Sequence, residues 1–443
     1  MVITFSIRIK FVFLLLFLVF NSCKTSGPGI FGKKSLHEQY ADKITNAGLK
    51  STALGSSWFK VAEQSISSPL TITVPYKETG YFSADRPDAV GLRFGVLRGQ
   101  KLIISVERKP VSNFILFIDL WKAAEGNNLP KYLATADTST YNIQQEVDET
   151  TSFVLRLQPE LLGNGEYTVS ITAGPSLAYP IKAPGKNHIK SFWGADRDGG
   201  GRKHEGIDLF AAFRTPVIAS ANGTVTRVNE TPLGGKVVWM RPEKKEYSLY
   251  YAHLDTQIVK DGATVKTGDT LGLMGNTGNA RFTSPHLHFG IYTFGGAVDP
   301  LPFVNPVENE PEKITSSTKL IGKLAKTTAS PARIYIQPTT SDKTNTLLPG
   351  NTLLRIEAAH SNWYKIRLPD GQKGFIKNVL VIETAKPLRS HTLNSILPLL
   401  DNPYSTGAKK TSIPSGETVD ILGMFDSYYF VITRNNLTGW IKK

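Results

Sequence analysis

Short runs of β-branched and alternating residues dominate the chain from about Ser65 onward. Leu70-Thr71-Ile72-Thr73-Val74, Leu102-Ile103-Ile104-Ser105-Val106 and Tyr167-Thr168-Val169-Ser170-Ile171 are typical. Turn signals such as Arg98-Gly99-Gln100 and Gly163-Asn164-Gly165 punctuate them, which predicts an antiparallel β-sandwich over 65–178. This stretch holds no histidine and no clustered carboxylates, so it reads as a spacer or binding module. Upstream, Leu36, Tyr40 and Ile44 recur at helical spacing and Gly48 supplies a stop. The segment 24–64 therefore reads as a tether followed by a short helix.

Strand patterns resume in a glycine-dense region, 179–306, through Val217-Ile218-Ala219, Gly223 to Val228, Lys236 to Trp239 and Ser248 to His253. A charged, polar linker is expected over 307–324. Beyond it a shift of 65 residues superimposes Pro338 on Pro403, Leu354 on Val419, Ile356 on Ile421 and Tyr364 on Tyr429. The same shift lays Gly374-Phe375-Ile376-Lys377 on Gly439-Trp440-Ile441-Lys442. A constant offset over so many positions predicts two tandem small β-barrels, 325–384 and 385–443. The fold class expected is mainly β.

The N-terminus changes the picture of where the chain works. Arg8 and Lys10 precede an unbroken apolar run, Phe11 to Phe20, followed by Asn21-Ser22-Cys23. That is the layout of a secretory signal, and the run is short of the roughly 20 residues that span a bilayer. Cys23 is the single cysteine of the 443 residues, so no internal disulfide is available. Its place after the apolar run resembles the lipobox of bacterial lipoproteins, although Phe20 and Asn21 stand where that motif usually has Leu and a small residue. The resemblance implies a signal over 1–23, a lipid on Cys23, and an exported, membrane-anchored protein of the cell envelope, with the periplasm expected. A formal charge of +14 favours polyanionic surroundings such as cell-wall carboxylates or phosphates. Export argues against nucleic acid as the partner.

Candidate chemistry is confined to 179–306, which carries five of the eight histidines. Four patches stand out: Gly199 to Asp208, containing His204-Glu205-Gly206-Ile207-Asp208; Tyr251-Ala252-His253-Leu254; Gly275-Asn276-Thr277-Gly278; and Pro285-His286-Leu287-His288-Phe289. On a strand His286 and His288 share a face while Leu287 and Phe289 share the other, and about 6.6 Å separates alternate residues, so both imidazoles can line one pocket. Imidazole suits zinc, and a carboxylate such as Asp208 is a compatible further ligand; three protein ligands would leave a fourth position for water. Geometry alone leaves open which member of the pair is the ligand. His37, His188, His360 and His391 stand apart and read as surface or core residues.

In order and spacing these patches resemble the lysostaphin/LytM-type zinc endopeptidases, which cut peptide cross-links of bacterial peptidoglycan. The resemblance spans that family's catalytic domain. It implies an antiparallel-sheet peptidase domain in which His204, Asp208 and His288 hold Zn2+ and His253 and His286 are the two non-ligand catalytic histidines. Gly290 departs from the family pattern, where many members have a polar or acidic residue. The C-terminal repeats resemble bacterial SH3-like domains, which often accompany wall hydrolases and dock on peptidoglycan. Trp363, Tyr364, Tyr429 and Trp440 are candidates for stacking on a ligand, though packing inside small barrels explains them more simply. An alternative assignment is a non-catalytic wall-binding activator or an adhesin.

Overall fold

The computed structural model describes residues 34–110, 114–126, 128–137, 139–183, 188–306, 310–341 and 345–443. The signal segment and Cys23 lie outside the described residues, as does part of the 307–324 linker. The protein is mainly β, and nearly every strand pairing is antiparallel. None of the described helices is long and apolar enough to cross a membrane.

The early helix forms over Leu36–Asn46, where Ser35 accepts from the Glu38 amide and the Glu38 carboxylate accepts from the Ser35 amide in return. A second helix, Ala53–Ser67, is absent from the sequence expectations. Gly55 and the serines around it disguise its pattern, yet a Cβ at Gly55 would lie 2.0 Å from the Leu49 carbonyl oxygen, so the preceding turn requires glycine there. The 64/65 division falls inside this helix. Trp58, His37 and Phe117 fill the space between the helices and the sandwich, with the His37 ring stacked on Trp58 at 4.6 Å.

His37 is 6% exposed and its Nε2 lies 2.7 Å from Gln158 Oε1. Burial first, then the nearby Arg156 charge, push its pKa down to about 3. Below pH 6.5 the unfolded chain takes up a proton here that the folded chain refuses, so this residue's contribution is lost as pH falls from 6.5 toward 3. The slope is about 1.4 kcal/mol per pH unit. Between pH 6.5 and 4.5, denaturant unfolding should show up to about 2.7 kcal/mol less stability from this group. His37→Phe should flatten the acid slope even though its stability at pH 7 is lower; an unchanged slope would refute the assignment.

The sandwich and the first C-terminal unit are not separate bodies. Strand Tyr76–Phe82 pairs with Gly165–Pro175 on one side and with Leu353–His360 on the other, so an 11-stranded sheet runs from the sandwich into the repeat. Trp363 and Phe375 sit in the sandwich core. Glu78 and Lys365 are fully buried at the joint and paired, while Tyr76 and Tyr167 donate to the same carboxylate at 2.6 and 2.8 Å. A 660 Å3 cavity beside the joint is lined by Arg86, Asp88, Glu357, Arg367 and Lys373, charges already paired with one another. Lys365→Met would strand the Glu78 charge, and breaking a buried pair from one side costs about 3–5 kcal/mol. The double variant Glu78→Gln/Lys365→Met should recover most of that loss. Urea unfolding followed by tryptophan fluorescence reads both, and a single variant as stable as the parent would contradict the paired state.

The 65-residue offset reappears in the elements. Strands Leu324–Thr327, Ala332–Tyr335, Leu353–His360, Trp363–Arg367 and Lys373–Lys377 fall on Arg389–Thr392, Leu397–Leu400, Thr418–Phe425, Tyr428–Ile432 and Thr438–Lys442. Each set has the same pairing order. Trp363, Tyr364 and Trp440 are at most 4% exposed and serve as core, while Tyr429 is partly buried.

The region 188–304 forms its own ten-stranded sheet. Its central strands run in the order Ile189–Ser191, Ile207–Phe210, His286–Thr293, Tyr247–Gln257, Gly235–Pro242, Gly223–Thr231. Ile207, Leu209, Leu287, Phe289, Leu249 and Tyr251 point from one face into a closed core, each 0% exposed. At about 1.5–3 kcal/mol per buried large side chain, that layer fixes which residues must face the other way. The opposite face carries the chemistry.

Candidate metal centre and cleft

Strand register builds the centre. Asp208 lies directly across from His288, and Phe210 from His286. Directly opposed residues of an antiparallel pair put their side chains on one face with Cβ atoms about 4.5–5.5 Å apart. His204 arrives from the turn before the Ile207–Phe210 strand, held by Gly206. A Cβ on that glycine would lie 2.5 Å from the Phe289 carbonyl oxygen and 2.7 Å from the His288 ring. Three donor atoms result: His204 Nε2, Asp208 Oδ1 and His288 Nδ1, pairwise 2.9 to 3.0 Å apart. Among the described residues these three form the metal-competent group of histidine, cysteine and acidic side chains.

A hydrogen bond behind the His204 ring fixes its tautomer. His204 Nδ1 lies 2.9 Å from the Phe192 carbonyl oxygen, an acceptor only, so Nδ1 carries the hydrogen and Nε2 offers its lone pair to the cluster. Burial opposes ionisation of Asp208, but contacts with His204 and His288 outweigh it and hold this carboxyl far below the usual range. Burial likewise pushes His288 down, favouring neutral imidazole. Two imidazoles and one carboxylate fit a borderline divalent ion, and bonds of about 2.0–2.2 Å can be met from one point above that triangle of atoms.

His253 and His286 stand beside the cluster, their rings 5.0 Å apart edge to face. His286 follows from alternation and stacks on Phe210 at 4.7 Å. His253 does not. Ala252 pairs with His288 and faces the cleft, so regular alternation would send His253 to the core with Tyr251. Instead the pairing with strand Gly235–Pro242 slips between Tyr251 and Leu254, and His253 takes φ +62°. That bulge turns the imidazole back toward the cleft. Positive φ in a non-glycine residue is uncommon and clusters at functional sites. His253 Nδ1 lies 2.9 Å from the Thr277 carbonyl oxygen, and His286 Nδ1 lies 2.9 Å from that of Ser284. Both therefore hold a hydrogen on Nδ1 and turn Nε2 toward the cleft. Burial, then the neighbouring His286 and His288, lower the His253 pKa to about 4, so it is neutral at pH 7.

A cleft of about 590 Å3 opens over these groups, lined only by residues between Ser191 and Tyr292. Among the described residues, none from the C-terminal units lines it. Gly290 lies beside Tyr292, whose ring would meet a Cβ there at 2.8 Å, and Tyr292 reaches Glu205 at 3.4 Å. Tyrosine thus occupies the space a side chain at 290 would need. Of the other histidines, His37 and His360 are buried away from the cleft; His360 stacks on Tyr76 at 4.3 Å. Sequence reasoning missed Arg197, which donates to Asp208 Oδ2 at 2.8 Å; no motif pointed to it.

This arrangement has relatives. Residues 202–300 match the model of Peptidase family M23, a metallopeptidase family. An uncharacterised metalloprotease of Haemophilus influenzae is 45% identical over 101 residues, 23% of this chain and 21% of that protein. The L-Ala–D-Glu endopeptidase of Bacillus subtilis is 32% identical over 143 residues, 30% of this chain and 44% of its own length. The peptidoglycan DD-endopeptidase ShyC of Vibrio cholerae is 38% identical over 88 residues, 20% of each protein. The chain spans less than half the length of each of these relatives.

Proposed function

We propose that the protein is a zinc-dependent endopeptidase that hydrolyses peptide cross-links of bacterial peptidoglycan. The observation that carries this is the meeting of His204 Nε2, Asp208 Oδ1 and His288 Nδ1 within 3.0 Å, beside two histidines that present Nε2 to an open cleft. In this reading His204, Asp208 and His288 hold Zn2+, and His253 and His286 are catalytic. Bound there, the ion supplies Lewis acidity and lowers the pKa of water from 15.7 toward about 7.

The remaining chemistry belongs to the two free histidines. Each turns Nε2 toward the cleft, and His253, held neutral by burial, can accept the proton of the attacking water there and return it to the departing amine. The other can stabilise the oxygen that gains charge at the carbonyl only as an imidazolium, with its Nδ1 hydrogen on the backbone carbonyl and its Nε2 hydrogen turned toward that oxygen. The Thr277 and Ser284 carbonyls orient both rings, which supports this reading.

The whole-chain assignment extends this reading. Export and lipidation at Cys23 would place the cleft in the envelope, probing peptide stems from a membrane anchor. The divisions at 65–178, 179–306, 325–384 and 385–443 describe a sandwich, the peptidase and two SH3-like units. Because Trp363 is locked in the sandwich core, the second unit is the freer of the two for wall docking. Zymography on peptidoglycan tests the function: clearing with Zn2+ and none with chelator supports it. No clearing in the metal-replete lane would favour a wall-binding activator or adhesin.

A further inference from the structure

We propose that Arg197 is a positioning residue for the metal cluster, holding Asp208 so that only Oδ1 faces the ion; this rests on the metal reading above. Arg197 lies before residues 202–300, on a two-strand hairpin in which Asp196–Arg197 pairs with Arg202–Lys203. The hairpin is tied to the centre through its backbone. Gly194 N–H donates to the His204 carbonyl at 2.9 Å, and His204 N–H donates to the Ala195 carbonyl at 2.8 Å.

From there Nη2 of Arg197 makes two bonds, to Asp208 Oδ2 at 2.8 Å and to Ser191 Oγ at 2.7 Å. Ser191 is the cross-strand partner of Asp208 and its hydroxyl lies 3.4 Å from His204 Nδ1. One guanidinium thus braces the backs of two of the three donors. Asp208 divides its oxygens: Oδ1 serves the cluster and Oδ2 the arginine. With Oδ2 engaged, the carboxylate cannot rotate or offer both oxygens to an ion, which preserves a position for water and substrate.

Two effects oppose one another when Arg197 is removed. Losing a positive charge favours a cation, whereas losing the brace frees the carboxylate. The charge is already neutralised by Oδ2 and the side chain is 29% exposed to screening solvent, so the loss of orientation wins. Partners that orient metal ligands are typically worth about 10–100-fold in affinity.

The test uses the full chain stripped of metal, with Zn2+ affinity measured by competition against a chromophoric chelator. Arg197→Ala should bind about 10–100-fold more weakly than the parent. Arg197→Lys, which keeps the charge but loses the planar fork, should fall between. Thermal unfolding of the metal-free proteins should be the same for all three, a result that a merely structural role would not give. Affinity of Arg197→Ala within about twofold of the parent would overturn the inference, as would a loss matched by a lower metal-free Tm. If the parent itself binds no ion, the metal reading fails and this inference with it, an outcome distinct from a difference between parent and variant.

Discussion

His204→Ala should abolish Zn2+ uptake and reduce peptide-bond hydrolysis by more than about 10³-fold. The loss of a single transition-state-stabilising donor already costs about 10²–10³, and here both the Lewis acid and the activation of water disappear together. His204 suits the test because it is 3% exposed and contributes one of three donors, so two donors remain where a catalytic ion needs three. Equilibrium dialysis against Zn2+ separates the effect from misfolding when paired with circular dichroism. Because the neighbouring layer of Ile207, Leu209, Leu287 and Phe289 is untouched, the β spectrum should persist. A variant that keeps stoichiometric metal would remove His204 from the ligand set.

His253→Ala should behave in the opposite way: full metal content, with kcat lower by about 10²–10⁴, the range for a general acid or base. The residue contributes no atom to the donor triangle, and its Nδ1 hydrogen is spent on the Thr277 carbonyl. Its removal takes away one Nε2 acceptor while His286 remains. Alanine does not relieve the φ +62° backbone, since it is no better suited to that region than histidine. His253→Gly separates the two contributions: it relaxes the backbone and still lacks the base, so it should be as inactive as the alanine variant. Metal loss in both would place His253 among the ligands instead.

The two histidines differ in how much of their position could be seen in the residues. His286 and His288 alternate with Leu287 and Phe289, and the buried pair sends the imidazoles to the cleft by strand geometry alone. Asp208 follows in the same way from Ile207 and Leu209. His253 does not, because one slipped register reverses the face of a residue and nothing local in Tyr251-Ala252-His253-Leu254 marks the slip. Its role was carried by resemblance, as was the choice of His288 over His286 at the cluster. Structure adds a reason: His288 is the one opposite Asp208.

Long-range pairing was the least visible feature. The repeat at 65 residues is plain in the residues and returns strand for strand. That the first repeat extends the sandwich sheet was hidden, because Thr79 meets Ala359 across 280 positions and neither carries a local sign of it. Buried Lys365 was the available hint: a lysine in a run such as Trp363-Tyr364-Lys365-Ile366 needs a buried carboxylate, and Glu78 supplies it. Arg197 shows the same limit at the cleft, where a partner eleven residues away from Asp208 has no fixed spacing to betray it.

The most direct measurement is mass spectrometry of muropeptides after purified, cross-linked peptidoglycan is incubated with the full chain. With Zn2+ present, cross-linked dimers should give way to monomers bearing a new amino and a new carboxyl terminus within the peptide. Chelation should stop the conversion and added Zn2+ should restore it. Dimers that persist unchanged in the presence of stoichiometrically bound metal would contradict the account.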